Sequence, residues 1–97
     1  MPAARRDMIG IVRYISEELG NPGFAAQLAE EMIQAAEEAA EMPYKNPAYL
    51  PIRPLKHEYR TILVRKYLMF YRTEEETKTV LFARVLYAGR AIDRFLN

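Results

Sequence analysis

The chain has 97 residues, of which 51% are hydrophobic and 28% are charged, and it contains no cysteine. This length fits one domain with one modest core, and the composition is that of a globular rather than a disordered protein. The lack of cysteine excludes disulfides and thiolate metal sites and fits a reducing compartment, so we expect a cytoplasmic protein. Its apolar runs are too short to cross a bilayer, and its first residues lack a signal-peptide core.

Charge is distributed unevenly, although the formal net charge is only +1. Residues 1–50 carry four basic and eight acidic groups, whereas residues 51–97 carry ten basic and five acidic groups. A basic C-terminal half suits an anionic partner, such as nucleic acid or an acidic protein segment. The two halves could equally attract each other within one fold, and charge alone leaves both interpretations open.

The first forty residues have the apolar periodicity of two helices. Gly20 ends the first, and Asn21 and Pro22 begin the second as a cap and a first helical residue. The short turn predicts an antiparallel helical hairpin over residues 3–41. The apolar stripes are Met8, Ile11, Val12, Ile15 and Leu19 in the first helix, and Phe24, Leu28, Met32, Ala35 and Ala39 in the second.

Four of the six prolines follow in a short stretch from position 43 to position 54. They predict an ordered loop over residues 42–58, because proline disfavours both helices and central strands. Residues 59–88 are rich in β-branched and aromatic side chains and predict three antiparallel strands, with a turn at Glu74–Glu76. Residues 89–97 are expected to form a tail, in which residues 90–97 could instead make a short helix. The predicted fold class is therefore α+β, with one domain over residues 1–97.

The last two strands should have two apolar faces, since side chains alternate along a strand. A turn at Glu75–Glu76 places Tyr67, Met69, Tyr71, Val80 and Phe82 on one face. The helices can cover only one face, so we expect the other to bind a partner. The alternative is that the proline-rich loop and the tail cover it. This other face is predicted to hold Leu68, Phe70, Leu81, Ala83, Val85 and Tyr87, with Arg72 among them.

Three motifs, in this order, resemble the RelE/ParE superfamily: "IVRYISEELGNP" (11–22), "KYLMFYR" (66–72) and "RVLYAGRAID" (84–93). This superfamily comprises the toxins of bacterial type II toxin–antitoxin modules, and the resemblance covers residues 3–96. Family members usually begin with a β-strand before the first helix, whereas this sequence begins at the helix itself. If the strand is truly absent, the sheet has three strands and an unpaired edge, which could support a homodimer through strand addition. A start codon assigned too far downstream would explain the difference equally well.

Two toxic activities occur in this superfamily. RelE-like members cleave ribosome-bound mRNA, and ParE-like members poison DNA gyrase. RelE-like enzymes commonly place an arginine where this sequence has Leu68, which slightly favours the ParE-like branch. A third alternative is an inactive module that only binds its antitoxin.

RNA cleavage needs cations for the phosphate and a group that transfers a proton. If the chain is RelE-like, the resemblance implies Tyr87, Arg84, Arg90 and Arg65 as catalytic candidates. His57 is an alternative proton-transfer group, and Lys56 an additional cation. Tyr87 could instead be an ordinary residue at the end of a strand, and Arg84 could be a partly buried partner of a helix carboxylate.

The predicted partners are a cognate antitoxin and either gyrase or the ribosome with its mRNA. An antitoxin segment is expected on the second sheet face and its basic surroundings. We expect no cofactor and no metal, because the ligand spacing is missing. The binding residues predicted for antitoxin or target are Leu68, Phe70, Arg72, Val85, Tyr87, Arg60 and Lys66.

Overall fold

The fold consists of two helices followed by an antiparallel sheet, as predicted for the α+β class. The computed structural model describes residues 2–51, 55, 57–89 and 96. No helix in these ranges is long and apolar enough to span a membrane. The elements are α1 (Pro2–Arg13), a π-helical turn (Tyr14–Glu18), α2 (Pro22–Glu41), β1 (Arg60–Val64), β2 (Tyr67–Glu74) and β3 (Thr79–Tyr87).

The turn between the helices has the signals that the sequence indicated. Gly20 adopts φ +64°, a left-handed conformation that side chains other than glycine rarely accept. The Asn21 side chain then accepts a hydrogen bond of 3.2 Å from the Phe24 backbone N–H and caps α2, with Pro22 at the first turn. The predicted helical hairpin is thus present, with one π-helical turn at the end of its first arm.

The sheet has the strand order β1-β2-β3, and both pairs are antiparallel. Arg65 and Lys66 form the two-residue turn between β1 and β2, and Arg65 takes a positive φ of 57° there. The second turn lies at residues 75–78, between β2 and β3. Among the described residues, β3 has no further strand beside it.

A β-bulge in β3 changes which side chains share a face. Tyr71 pairs with Phe82, but the preceding Phe70 pairs with Arg84, so Ala83 has no residue directly opposite. The extra residue reverses the alternation for the rest of the strand. Val85 therefore lies opposite Met69, and Tyr87 lies opposite Tyr67, on the face that packs against the helices. Our prediction that Val85 and Tyr87 share a face with Phe70 is wrong, because it assigned alternate residues of β3 to opposite faces and assumed a strand without a bulge.

Two apolar clusters lie on opposite sides of the sheet. The cluster under the helices contains Ala4, Ile15, Ala25, Leu28, Met32, Val64, Met69 and Val85. The cluster on the other side contains Tyr59, Phe70, Leu86 and Leu96, with Tyr49, Leu55, Leu68 and Ala83 packed against it.

The proline-rich segment attaches to the outer edge of β1. Ala48 forms an isolated antiparallel bridge with Arg60, and the Tyr49 N–H donates to the Tyr59 carbonyl at 2.7 Å. The Tyr49 ring then packs edge-on against Phe70, with ring centroids 5.2 Å apart. The expected exposure of the second sheet face is therefore wrong at Phe70, because this segment and Leu96 cover it, as the alternative held.

Candidate functional site

A cleft of about 300 Å³ opens between α1 and the end of the sheet, and three tyrosines line it. Tyr87 is 46% exposed at its rim, and its ring lies 5.7 Å from that of Tyr67 across the two strands. Tyr14 and Arg6 approach from the helix side. The bulge creates this arrangement, because it brings Tyr87 round to the helical side of the sheet.

Tyr67 is held in its neutral form within the cleft. Burial raises the pKa of Tyr67 above its usual value, and the negative charge that Tyr87 and Tyr14 would carry adds to the rise. A phenol accepts a proton only in its ionised form, and a raised pKa leaves even less of that form near neutral pH. Tyr67 therefore offers the cleft an aromatic surface and a hydroxyl donor, not a base.

Arg84 joins the last strand to the first helix. Its Nε and Nη2 atoms donate to Oδ2 and Oδ1 of Asp7 at 2.7 and 2.9 Å. The Asp7 Oδ2 atom also accepts from the Val85 backbone N–H at 2.9 Å. The hydrogen bond with Asp7 raises the pKa of Arg84, so its charge is secure. Arg84 is thus the partly buried partner of a helix carboxylate, which was our alternative interpretation for it.

Arg65, in the turn between β1 and β2, forms a similar bidentate pair with a carboxylate of the helical hairpin. Its Nε and Nη2 atoms donate to the two carboxylate oxygens of Glu31 in α2 at 2.9 and 2.7 Å. Its guanidinium also lies 5.6 Å from the centre of the Phe24 ring. The hydrogen bond with Arg65 lowers the pKa of Glu31, and the same bond raises the pKa of Arg65. This pair ties the β1–β2 turn to α2.

Arg60 and Arg72 lie on a second cleft, of about 290 Å³. Arg60 donates to the Asn46 carbonyl at 2.6 Å, and its guanidinium lies 4.9 Å from the centre of the Tyr44 ring. Arg72 pairs with Glu74 at 3.1 Å. His57 also lines this cleft. These residues are thus separate from Tyr87, which lines the first cleft, so the predicted site residues do not form one constellation.

Part of the outer sheet face is uncovered, and one of its residues, Leu63, was missed by the sequence reasoning. Leu63 is 63% exposed and lies directly opposite the half-buried Leu68. Lys66, in the turn between them, is exposed as well. Strand parity of β1 could have placed Leu63 on this face, since the alternation there is regular.

The remaining predicted residues are either buried or outside the described part of the chain. Phe70 and Val85 are buried, beneath the proline-rich segment and the helices respectively. Arg90 lies outside the described residues, as does Lys56. Within the described ranges, no group of three or more His, Cys, Asp or Glu residues could hold a metal ion.

The geometry supports binding more directly than acid–base chemistry. Two of the four predicted catalytic residues, Arg65 and Arg84, already hold carboxylates in bidentate pairs. A phosphate could use either guanidinium only by displacing its carboxylate.

Comparisons with known proteins identify a family. A family model described as "ParE toxin of type II toxin-antitoxin system, parDE" matches residues 1–92. Neither a curated protein nor a solved structure matches the chain.

Proposed function

This chain belongs to the ParE toxin family of type II toxin–antitoxin systems, and we propose that it inhibits growth by poisoning DNA gyrase. Membership in this family implies a cognate antitoxin as partner. We propose further that the antitoxin neutralises the toxin by covering the surface used against its target, and that the pair serves plasmid stabilisation.

The engagement of Arg84 by Asp7 is the observation that carries the choice of gyrase over mRNA. RNA cleavage needs a cation free to stabilise the charged phosphorane. In this chain the guanidinium of Arg84 donates two hydrogen bonds to the Asp7 carboxylate, which also accepts a hydrogen bond from the backbone of β3. Opening that pair for a phosphate would leave Asp7 without its partner and weaken the junction of α1 with the sheet.

Leu68 supports the same choice. It stands where RelE-like enzymes commonly have an arginine, and it lies half-buried against the outer apolar cluster. Opposite it, Leu63 is exposed. A surface of two leucines beside Lys66 suits the binding of a protein segment better than the handling of a phosphate.

A RelE-like mRNA endonuclease is the second candidate, and the exposed position of Tyr87 favours it. Tyr87 lies at the rim of an open cleft, and Arg6 lines the same cleft. A phenol next to a cation is an arrangement that RNA cleavage could use for proton transfer. Two of the cations that the nuclease would use for the phosphate, Arg65 and Arg84, are each held by a carboxylate, which weighs against this candidate.

The two candidates separate in cells that express the chain from an inducible promoter. Gyrase poisoning predicts induction of a DNA-damage reporter before any loss of total mRNA, and rescue by the adjacent antitoxin gene. RelE-like cleavage predicts mRNA cut within codons while the DNA-damage reporter stays silent. Normal growth with a folded, abundant protein would contradict both and leave an inactive antitoxin-binding module.

The antitoxin site is proposed at the uncovered corner of the outer face, formed by Leu63, Leu68 and Lys66. A site that includes Phe70, as the sequence predicted, requires the proline-rich segment to move away, because Tyr49 packs on that ring. The corner needs no such movement. Its apolar pair and single exposed cation fit an amphipathic segment with acidic residues.

A further inference from the structure

The outer side of the helical hairpin has an apolar groove of about 410 Å³ that the remainder of the described chain leaves open. Its lining includes Met8, Ile9 and Val12 from α1 and Ala29 from α2. Ile33 lies one turn beyond Ala29 on the same side of α2. Ile9 is 49% exposed and Ile33 is 53% exposed. Large apolar side chains grouped in this way mark an interaction surface more often than ordinary exposure.

The two helices beside this groove carry opposite charges. On α1, Arg5 and Arg13 lie one turn before and one turn after Ile9, and both are exposed. On α2, Glu30 and Glu37 lie on either side of Ile33, at spacings of three and four residues, and both are exposed. Around the two isoleucines, α1 thus presents arginines and α2 presents glutamates, and Glu17, beyond Arg13, is an acidic residue at the end of the groove nearest the helical turn.

We propose that this face is a homodimer interface in which α1 of each copy packs on α2 of the other. A twofold interface must be complementary to itself, because the same patch meets its own copy. A surface with one basic and one acidic side meets that condition. The groove thus fits a second copy of this chain through features that it already contains.

The charges also select the direction of the twofold axis. A twofold axis in the plane of the interface and perpendicular to the helices would place α1 of one copy over α1 of the other, which brings arginines together. A twofold axis parallel to the helices instead places α1 of one copy antiparallel on α2 of the other. Ile9 and Ile33 both lie about three helical turns from the turn at Gly20, so they meet at the centre of this second arrangement. Arg13 then faces Glu30, and Arg5 faces Glu37, twice in each dimer.

The size of the face predicts a weak dimer. Two adjacent helices about 25 Å long and about 10 Å wide each present about 500 Å² per copy. That area lies toward the low end for specific protein interfaces, so dissociation is expected in the micromolar range. The surface lies on the opposite side of the molecule from the proposed antitoxin corner, and the proposal does not depend on the gyrase activity.

Sedimentation velocity of the full chain over about 1–200 µM tests the interface. We expect a monomer–dimer equilibrium. A variant with Arg5→Glu and Arg13→Glu, and a second with Glu30→Arg and Glu37→Arg, should each raise the dissociation constant at least about tenfold, because like charges then face each other. All four residues are exposed, so both variants should keep the circular dichroism spectrum and Tm of the wild type.

The decisive sample is an equimolar mixture of the two charge-reversed variants. Every charged contact is again between opposite charges, so a heterodimer should form. Adding Ile33→Asp to either variant should abolish it, which separates docking at the groove from general attraction between oppositely charged proteins. A wild-type chain that stays monomeric at the highest concentration would overturn the proposal. So would a dimer that persists in each reversed variant alone, which would direct attention to the open edge of β3.

Discussion

Asp7 in α1 holds Arg84 in β3 with two hydrogen bonds of 2.7 and 2.9 Å, and it also accepts the backbone N–H of the next residue of the strand. One carboxylate thus joins two elements separated by most of the chain. Because both side chains are partly buried, this pair contributes to the stability of the fold. It also occupies two of the N–H groups that Arg84 could otherwise offer to a substrate.

Replacement of Asp7 by Asn should lower the free energy of unfolding by about 1–3 kcal/mol, because it leaves the partly buried Arg84 without its charged partner. Urea denaturation measures this loss. Glu31→Gln is the matched control, since it breaks the other bidentate pair at an exposed site and should change stability much less. Equal losses in the two variants would contradict the importance assigned to the Asp7 pair.

Replacement of Phe70 by Ala should cost about 3–5 kcal/mol, because the ring is fully buried beneath Tyr49. Phe70→Asp should therefore give a protein that fails to fold. Leu63→Asp, on the exposed part of the same face, should stay within about 0.5 kcal/mol of the wild type. A folded Phe70→Asp protein that had lost only antitoxin binding would support the original prediction of an interface at Phe70.

Antitoxin binding should depend on the corner formed by Leu63, Leu68 and Lys66. We expect Leu63→Asp to weaken binding at least about tenfold, since it puts a charge into the apolar part of the interface. Isothermal titration calorimetry with the purified antitoxin gives the affinity. Ile33→Asp is the control, because it makes the same change on the opposite side of the molecule. Unchanged affinity of the Leu63 variant would place the antitoxin elsewhere.

The Glu31 carboxylate should titrate below its usual value of 4.5, because its pKa is lowered by Arg65. A lowered folded-state pKa means that this pair stabilises the fold above the unfolded value, and that the contribution disappears as pH falls through the lower folded value. NMR titration of the side-chain carboxyl measures the shift. In Arg65→Met the pKa of Glu31 should return toward 4.5. A Glu31 pKa that is the same in both proteins would show that the pair does not form in solution.

Tyr87→Phe separates binding from RNA chemistry. The variant keeps the ring contact with Tyr67 and removes only the hydroxyl. If the chain acts on gyrase, growth arrest on induction should be unchanged. Loss of arrest with normal protein levels would support the nuclease, since a missing proton-transfer group commonly costs about 10²–10⁴ in rate.

The sequence predicted the larger features because each has a local cause. Gly20 and the Asn21–Pro22 pair specify the helical turn, and the prolines exclude a helix after α2. The bulge at Ala83 has no local signal, so parity counting failed for Val85 and Tyr87. The cover over Phe70 also depends on tertiary packing, because Tyr49 reaches it only through the bridge of Ala48 with Arg60.

The site residues were harder to predict for a related reason. Arginine in a basic half of the chain suggests phosphate binding, but the partner of each arginine comes from a distant element. Asp7 and Glu31 lie 77 and 34 positions from Arg84 and Arg65, and no sequence motif links them. Our alternative interpretation of Arg84 as an ion-pair residue anticipated the kind of partner but not its identity.

The most direct test of the proposed function is a DNA supercoiling assay with purified gyrase, relaxed plasmid and the full chain. The proposal predicts that supercoiling falls as toxin is added, that cleaved plasmid covalently bound to gyrase accumulates, and that prior mixing with antitoxin prevents both effects. Tyr87→Phe should act like the wild type. Undisturbed supercoiling at toxin concentrations that cleave mRNA on purified ribosomes would contradict the proposal.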